Sequence, residues 1–305
     1  MLKKGRLELP LPGSGATWLR WEALADIGAF DLSAARLSEG HADALAILSE
    51  AGMAPPPESR LGVWAAGPLP TLQATFQSGR VLLEGRRRWC SGASILTHAL
   101  VTADSPDGPI LVLTDLQAPG LRPCPGSWPA VGMSGSDTLD VEFHQVAVPR
   151  ENQVGAAGFY TGRPGFAIGA LGVAAVWWGG ATGVAQILGH ISPDGDPHRL
   201  AHRGAVEARL WSLRTVLGEA ARRVDADPTG DHTVMAAMVR QLVEAGASEV
   251  LTRTGRATGA EPLGHNRDHA QRVADLTVYL RQHHAESDEA ALGRLVAPIV
   301  PGRVL

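Results

Sequence analysis

The first part of the chain carries apolar residues at the spacing of an amphipathic helix. Successive apolar positions lie three to five residues apart, so they fall near one side of a helix with about 3.6 residues per turn. The run Pro55-Pro56-Pro57 ends this pattern, because proline lacks the backbone N–H that a helix interior needs. The sequence therefore predicts helical structure over residues 15–53. The apolar positions are Leu24, Ile27, Leu32, Leu37, Ala42, Leu45 and Leu48.

Between residues 60 and 154 the pattern changes to short apolar runs separated by glycine, proline, aspartate and serine. Residues 141–148 nearly alternate between apolar and polar, as in a half-buried strand. Asp107-Gly108 lies between two of the runs and is typical of a hairpin turn. We therefore predict a central β-barrel or sandwich of about six to eight strands. The runs cover residues 61–64, 72–76, 81–83, 99–103, 110–114 and 139–148.

After Gly158 the chain returns to helical periodicity. Prolines and glycines divide this part into segments with short connections, at residues 164–190, 199–225, 231–258 and 265–287. Long helices joined by short connections are typical of a four-helix bundle. The predicted fold class is α+β multidomain, with a short N-terminal helical region at 1–58, a central β-domain at 59–157 and a C-terminal four-helix bundle at 158–305.

Residues 164–189 carry no charge, and they are long enough to cross a bilayer, which takes roughly 20 residues. The stretch also contains seven glycines and Gln186, and no basic cluster flanks it. These features favour a buried core helix over a membrane span. The N-terminus has no apolar segment of the kind found in secretory signals, so we expect a cytoplasmic protein without a membrane partner.

The amino-acid composition excludes several classes of protein. Hydrophobic residues make up 45% of the 305 residues and the net charge is −4, which excludes a disordered chain and argues against a nucleic-acid partner. The charged fraction of 19% is lower than usual, which favours a homodimer or homotetramer. Cys90 and Cys124 are too few for a disulfide scaffold. The histidines near the last helix lack carboxylates at metal-binding spacing, so no metal is expected.

Three strings carry a family resemblance. Residues 132–149 read GMSGSDTLDVEFHQVAVP and are followed by Glu151-Asn152 and Gly155. Residues 88–93 read RWCSGA, shortly before ALVTA at 99–103, and residues 254–259 read TGRATG. Together with the order of helical, β and helical parts, these strings resemble the acyl-CoA dehydrogenase family over about residues 60–300.

The resemblance implies an FAD-dependent enzyme and assigns its cofactor residues. Trp89 and Ser91 match the family's aromatic and hydroxyl contacts to the flavin ring, and a tryptophan supplies the flat apolar wall that such a ring needs. Trp64 stands where the family has a Thr-Glu contact, in a string, Val63 to Gly67, that lacks an acid. Alternatively, Trp89 is a core residue of the β-domain.

The glycine-rich string implies a contact with the cofactor's phosphates. Gly255, Arg256 and Gly259 match the turn with which a neighbouring subunit holds the flavin diphosphate. Glycines let backbone N–H groups approach a phosphate, and arginine adds a fork of donors. The alternative is that these glycines end a helix.

The catalytic base departs from the family pattern. Where many members place a glutamate, this chain has His283, with Glu286 as a displaced candidate. We expect the last helix to run from about His265 to Gln282 and His283 to continue its core-facing side, whereas His284 would be exposed. The alternative places both histidines at a fraying helix end. The N-terminal helical part, of about 55 residues, is also only half as long as the family's.

The predicted reaction is α,β-dehydrogenation of an acyl thioester. A base removes the α proton, the flavin takes the β hydride, and an acceptor protein then takes the electrons. Histidine near position 283 also resembles the flavin-dependent monooxygenases of the same fold, which would act on another small organic substrate. A third alternative is a non-catalytic partner subunit of a heteromeric dehydrogenase.

Overall fold

The computed structural model of the chain describes residues 8–65 and 72–298. The chain divides into two compact units. Of the described residues, the first unit, here called the β-unit, comprises 8–9, 36–65, 72–130 and 134–166. The second, the helical unit, comprises residues 10–35, 131–133 and 167–298.

The described strands of the β-unit form one eight-stranded sheet. Its order is β6-β7-β3-β2-β4-β5-β8, and β1 pairs in parallel with β4. The predicted hairpin is confirmed, because β4 and β5 are antiparallel with Ser105 opposite Gly108. The strands are β1 (Leu61–Trp64), β2 (Gln73–Gln77), β3 (Arg80–Cys90), β4 (His98–Ser105), β5 (Gly108–Asp115), β6 (Leu121–Cys124), β7 (Leu139–Pro149) and β8 (Gln153–Val154).

Strands β4 and β5 are apolar on both faces because both faces are covered. Side chains alternate along a strand, so Val101 and Val112 enter one apolar cluster while Leu100 and Leu111 enter another. The second cluster includes Ile47 of helix α2 (Leu32–Glu50), which packs on that face. This double burial explains why these two runs read as continuous rather than alternating apolar segments.

Helices precede and follow the sheet, so the predicted α+β fold class is confirmed. The predicted segments 164–190, 199–225 and 231–258 correspond to α4, α5 and α6, with a short 3₁₀ turn after α4. The helices besides α2 are α1 (Thr17–Phe30), α3 (Phe159–Gly162), α4 (Gly165–Ala185), α5 (Pro197–Ala226), α6 (Thr233–Thr258), α7 (Glu261–His265), α8 (Arg267–Tyr279) and α9 (Glu286–Val296).

The helical region predicted at 15–53 consists of two helices, α1 and α2. Asp31 leaves the helical conformation with φ −154° and ψ 114°. Its Oδ1 atom accepts the backbone N–H of Ala34 at 2.9 Å, so it caps the start of α2. The capping aspartate was the signal for this break.

The glycines of α4 allow it to lie against α1. A Cβ added at Gly179 would stand 2.1 Å from the carbonyl oxygen of Ala25, and one at Gly183 would stand 2.4 Å from that of Ala29. By length and composition, Gly165–His190 could cross a membrane, yet 67% of its apolar window is buried inside the protein. Close glycine contacts and burial together fit the core helix that the sequence predicts.

The prediction of one helix over 265–287 is wrong. Helix α8 starts after Asn266, whose Oδ1 accepts the N–H of His269 at 3.0 Å, and it ends at Tyr279. A 3₁₀ turn (Leu280–Gln282) follows, and His283 is extended with φ −89° and ψ 126°. Ala285 then takes a positive φ of 48° before α9 begins, so the helical phase does not continue through His283.

Candidate functional site

Trp89 stands on a β-bulge of β3. Arg87 pairs with Val141 and Cys90 pairs with Leu139, so Arg88 and Trp89 together lie opposite Asp140. The φ of Trp89 is +62°, a left-handed conformation that costs a residue with a side chain roughly 1–2 kcal/mol. Its indole is 44% exposed. The strained backbone therefore presents a flat aromatic ring on the surface of the β-unit, and strain of this kind concentrates at functional sites.

Asp140 holds the bulge in place. Its carboxylate lies 3.0 Å from the guanidinium of Arg86 and 3.7 Å from that of Arg88. It also accepts the backbone N–H of Trp89 at 3.4 Å. The Arg88 guanidinium in turn lies 5.5 Å from the centre of the Trp89 ring. One buried carboxylate thus binds both arginines beside the strained residue.

Ser91 begins a chain of buried hydroxyl groups. Its Oγ lies 3.0 Å from the Oγ1 of Thr138, which lies 2.7 Å from the Oγ of Ser136. The backbone N–H of Gly92 donates to the carbonyl of Ser136 at 2.9 Å and fixes the two segments together. If Ser136 donates to Thr138 and Thr138 donates to Ser91, the Ser91 hydroxyl can donate outwards. With that direction of donation, the chain orients a donor two residues after Trp89.

Trp64 lies beneath this arrangement rather than on it. It is 2% exposed and belongs to the apolar cluster of the sheet. Its Nε1–H donates to the carbonyl oxygen of Ser91 at 3.0 Å. Trp64 therefore supports the backbone of Ser91 and offers no ring face on the surface. Ala66 and Gly67, at the end of the string that contains Trp64, lie outside the described residues.

Arg87 is a buried cation that the sequence analysis missed. It is 5% exposed, and its Nε–H donates to the carbonyl of Trp64 at 3.1 Å while its terminal nitrogen donates to the hydroxyl of Thr102. Burial lowers the pKa of its guanidinium. Arg87 ties β1 to the bulged strand. No signal separated it from its neighbours, because arginine is the common base throughout the chain.

Gly255, Arg256 and Gly259 lie together at the C-terminal end of α6, and all three are exposed. Gly255 and Arg256 are helical residues, and the N–H of Gly259 donates to the carbonyl of Gly255 at 2.9 Å. The string is thus the last turn of a helix with a glycine cap, where backbone carbonyls rather than N–H groups point outwards. A Cβ would meet nothing within 4 Å at either glycine, so the surface there is open.

His283 is buried in the turn before α9, at 4% exposure, whereas Glu286 is exposed at the first position of that helix. The Nδ1 atom of His283 accepts the backbone N–H of Ala285 at 3.2 Å. Because Nδ1 accepts, the proton of the neutral ring lies on Nε2. Burial lowers the pKa of His283, so the neutral ring predominates at neutral pH.

The predicted site residues thus form three groups. Trp64, Trp89 and Ser91 meet within the β-unit. The glycine string forms the second group at the end of α6, and His283 with Glu286 forms the third at the start of α9. In the described part of the chain, no cluster of three or more His, Cys, Asp or Glu side chains could hold a metal ion.

At the level of sequence, no family model and no curated protein matches the chain. Solved structures share its fold. FMN-bound TdsC from Paenibacillus sp. A11-2, a dibenzothiophene monooxygenase, is 20% identical with a TM-score of 0.80, covering 94% of this chain and 86% of its own. Methanesulfinate monooxygenase MsuC from Pseudomonas fluorescens is 17% identical with a TM-score of 0.79, covering 98% and 89%.

A third similar structure is the nitrososynthase from Micromonospora carbonacea var. africana. It is 20% identical with a TM-score of 0.74, covering 92% of this chain and 82% of its own. At these identities the likeness shows the fold. The fold is therefore one that flavin-dependent enzymes use, and oxygenating enzymes are among them.

Proposed function

We propose that the chain is a flavin-dependent monooxygenase with the acyl-CoA dehydrogenase-like fold. The observation that carries this proposal is the strained, exposed Trp89 beside the Ser91 hydroxyl chain. The bound flavin supplies two electrons for the reduction of dioxygen. The balanced reaction is RH + O₂ + reduced flavin (FlH₂) → ROH + H₂O + oxidised flavin (Fl), or R₂S in place of RH to give a sulfoxide.

The residues of the β-unit fit a flavin ring. Trp89 offers an exposed flat face held by Asp140, and a planar ring stacks on such a face. Ser91 offers a hydroxyl donor oriented through Thr138. The strained backbone at Trp89 holds its ring on the surface, where a planar ligand can stack on it. Trp64 supports Ser91 from below.

The state of His283 favours oxygenation over the dehydrogenation expected from the sequence. Removal of an α proton requires a free acceptor. The lone pair of His283 Nδ1 already accepts the Ala285 N–H, and Nε2 carries the proton. Glu286 lies on an exposed helix start, where water competes for it. His283 is instead suited to donate a hydrogen bond from Nε2 to an oxygen atom of a bound group. The monooxygenases among the similar structures support the same choice.

We propose FMN rather than FAD as the cofactor. FAD would require a site for its diphosphate, and the glycine string expected to provide one is the end of a helix. The C-terminal end of a helix carries partial negative charge, which disfavours a phosphate. FMN is also the flavin bound in TdsC.

The partners follow from this reaction. We propose that reduced flavin is supplied by a separate protein. The low charged fraction of 19% supports a homo-oligomer. An electron-acceptor protein, which dehydrogenation would need, has no place in oxygenation.

The test is oxygenation with photoreduced FMN and ¹⁸O₂. We expect FMN to bind the purified protein, and one ¹⁸O atom to enter a product from a panel that includes indole, dibenzothiophene and methanesulfinate. Trp89→Ala should weaken FMN binding by about tenfold, since loss of one stacking contact is worth roughly 1–1.5 kcal/mol. Trp211→Ala is the matched control, because Trp211 is exposed on α5.

The alternatives predict different results. Reduction of bound flavin by acyl thioesters, without ¹⁸O incorporation, would restore the dehydrogenase. A protein that binds neither FMN nor FAD would be the non-catalytic partner subunit. Equal losses in the two tryptophan variants would remove Trp89 from the flavin site.

A further inference from the structure

The turn between α8 and α9 holds two histidines with a single carboxylate. The Oδ2 of Asp288 accepts the backbone N–H of His284 at 3.0 Å, and its Oδ1 lies 3.3 Å from the Nδ1 of His284. The same Oδ2 lies 3.8 Å from the Nε2 of His283. Asp288 lies in the first turn of α9 and ties that turn to both histidines.

The backbone between them is strained. Ala285 has φ +48° and ψ −122°, a conformation that side chains disfavour. This conformation directs the N–H of Ala285 at the Nδ1 of His283. Strain of this kind persists only where surrounding contacts enforce it. The contacts of Asp288 with His284, immediately before Ala285, contribute to this, beside the N–H of Glu289 that donates to the carbonyl of Ala285 at 3.0 Å.

Charged groups surround the His283 ring from two helices. Helix α6 contributes Arg240 and Glu244, and α9 contributes Asp288 and Glu289. Glu244 pairs with Arg281 at 2.5 Å, and Glu289 accepts a hydrogen bond from Gln241 at 2.6 Å. Asp288 is therefore the carboxylate whose bonds go to the histidine turn itself.

We propose that Asp288 is a positioning residue: it holds the turn in which His283 keeps its proton on Nε2 and can donate it as a hydrogen bond. The use of that donor in catalysis rests on the proposed function, whereas the arrangement of Asp288 and the two histidines does not. Asp288 acts through the turn and through His283, and it has no role of its own in the chemistry.

The pKa values of the pair agree with this arrangement. Burial lowers the pKa of His283, while the charge of Asp288 acts in the opposite direction. Burial alone would raise the pKa of Asp288, but the His284 N–H and the two imidazoles outweigh it and lower the pKa. Asp288 therefore stays ionised, and it faces a neutral His283 near neutral pH.

The experiment reads the tautomer of His283 directly, by ¹⁵N NMR of the full chain with labelled histidines. We expect wild-type His283 to show the Nε2–H form. In Asp288→Ala the turn loses its acceptor, so His283 should become a mixture of tautomers. Asp288→Asn keeps an acceptor for the His284 N–H and should restore the single form, with a titration midpoint below that of wild type. Glu289→Gln removes one charge from the same helical turn and is the matched control.

A second arm uses turnover in the oxygenation assay. Asp288→Ala should lower turnover by about tenfold, a usual size for coupled neighbours. In a His283→Asn background the same change should cost less than about twofold, because Asp288 acts through His283.

The arms separate the two proposals. A wild-type tautomer in Asp288→Ala, or an equal change in Glu289→Gln, overturns the positioning role whatever the enzyme does. If the tautomers are as expected in all variants but wild type incorporates no ¹⁸O, the positioning role stands and the proposed function is rejected.

Discussion

His41 in the β-unit and His283 in the helical unit are both buried, and each accepts a backbone N–H on Nδ1. His41 accepts the N–H of Leu61 at 3.1 Å, and His283 accepts that of Ala285 at 3.2 Å. Burial lowers the pKa of both imidazoles. The two residues are therefore alike in burial, in tautomer and in the direction of the pKa shift.

Their surroundings differ. His41 lies within helix α2 and completes the hydrogen bonding of Leu61, the first residue of β1. His283 lies in an irregular turn beside a strained alanine, with Asp288 at 3.8 Å. Helix α2 is held by its own backbone hydrogen bonds, whereas the turn that contains His283 is held by the carboxylate of Asp288. The comparison supports a structural role for His41 and agrees with the proposed functional role of His283.

The largest effect should come from His283. We expect His283→Ala to lower oxygenation turnover by about 100–1000-fold, the usual loss when one oriented donor to a reacting oxygen is removed. FMN binding, measured by fluorescence quenching, should change little, because the proposed ring contacts lie on Trp89 and Ser91. Glu286→Gln should alter turnover by less than about twofold. Loss in the glutamine variant alone would move the chemistry to Glu286 and bring back a carboxylate base.

The counterpart in the β-unit should affect stability instead. His41→Ala leaves the Leu61 N–H without its acceptor and opens a cavity, so we expect the free energy of unfolding to fall by about 2 kcal/mol. Urea denaturation measures this loss. His144→Ala, at an exposed position, should change stability by less than about 0.5 kcal/mol. If His41→Ala were as stable as His144→Ala, the structural role of His41 would be refuted.

The sequence predicted the fold better than the conformation of the site. The hairpin at Asp107-Gly108 and the uncharged glycine-rich core helix follow from local rules of turns and packing. The strings around Trp89 and Ser91 led to the candidate site in the β-unit, but periodicity carries no sign of a bulge. Whether Trp89 faces solvent or core depends on its pairing with Asp140, which is 51 residues away.

The burial of His283 was predicted for the wrong reason. His283 is buried, as helical phase suggested, but it is not helical. Apolar spacing continues smoothly through the turn, so it does not mark the end of α8. The acids that follow, Asp288 among them, were the local sign of a new helix start. Gly259 shows the same limit, because the sequence alone does not distinguish a glycine in a phosphate-binding turn from one that ends a helix.

The smallest expected effect is the pH dependence of stability to which His41 and His283 both contribute. Their folded pKa values lie below the ordinary value of 6.5, so the unfolded chain binds protons first on acidification. The stability that they contribute is present above pH 6.5 and is lost as the pH falls through the folded values. Each histidine can contribute at most about 1.4 kcal/mol per pH unit.

Urea denaturation between pH 7.5 and 5.5 tests this slope. We expect the free energy of unfolding to fall with acidification, and to fall less steeply in His41→Gln and in His283→Gln than in wild type. His269, whose pKa burial also lowers, leaves a residual slope in both variants. Asp275, whose pKa burial raises, works in the opposite direction at more acidic pH. Stability that rises on acidification over this range would mean that the two histidines are protonated in the folded protein, and the Nδ1 acceptor geometry that unites them would then be wrong.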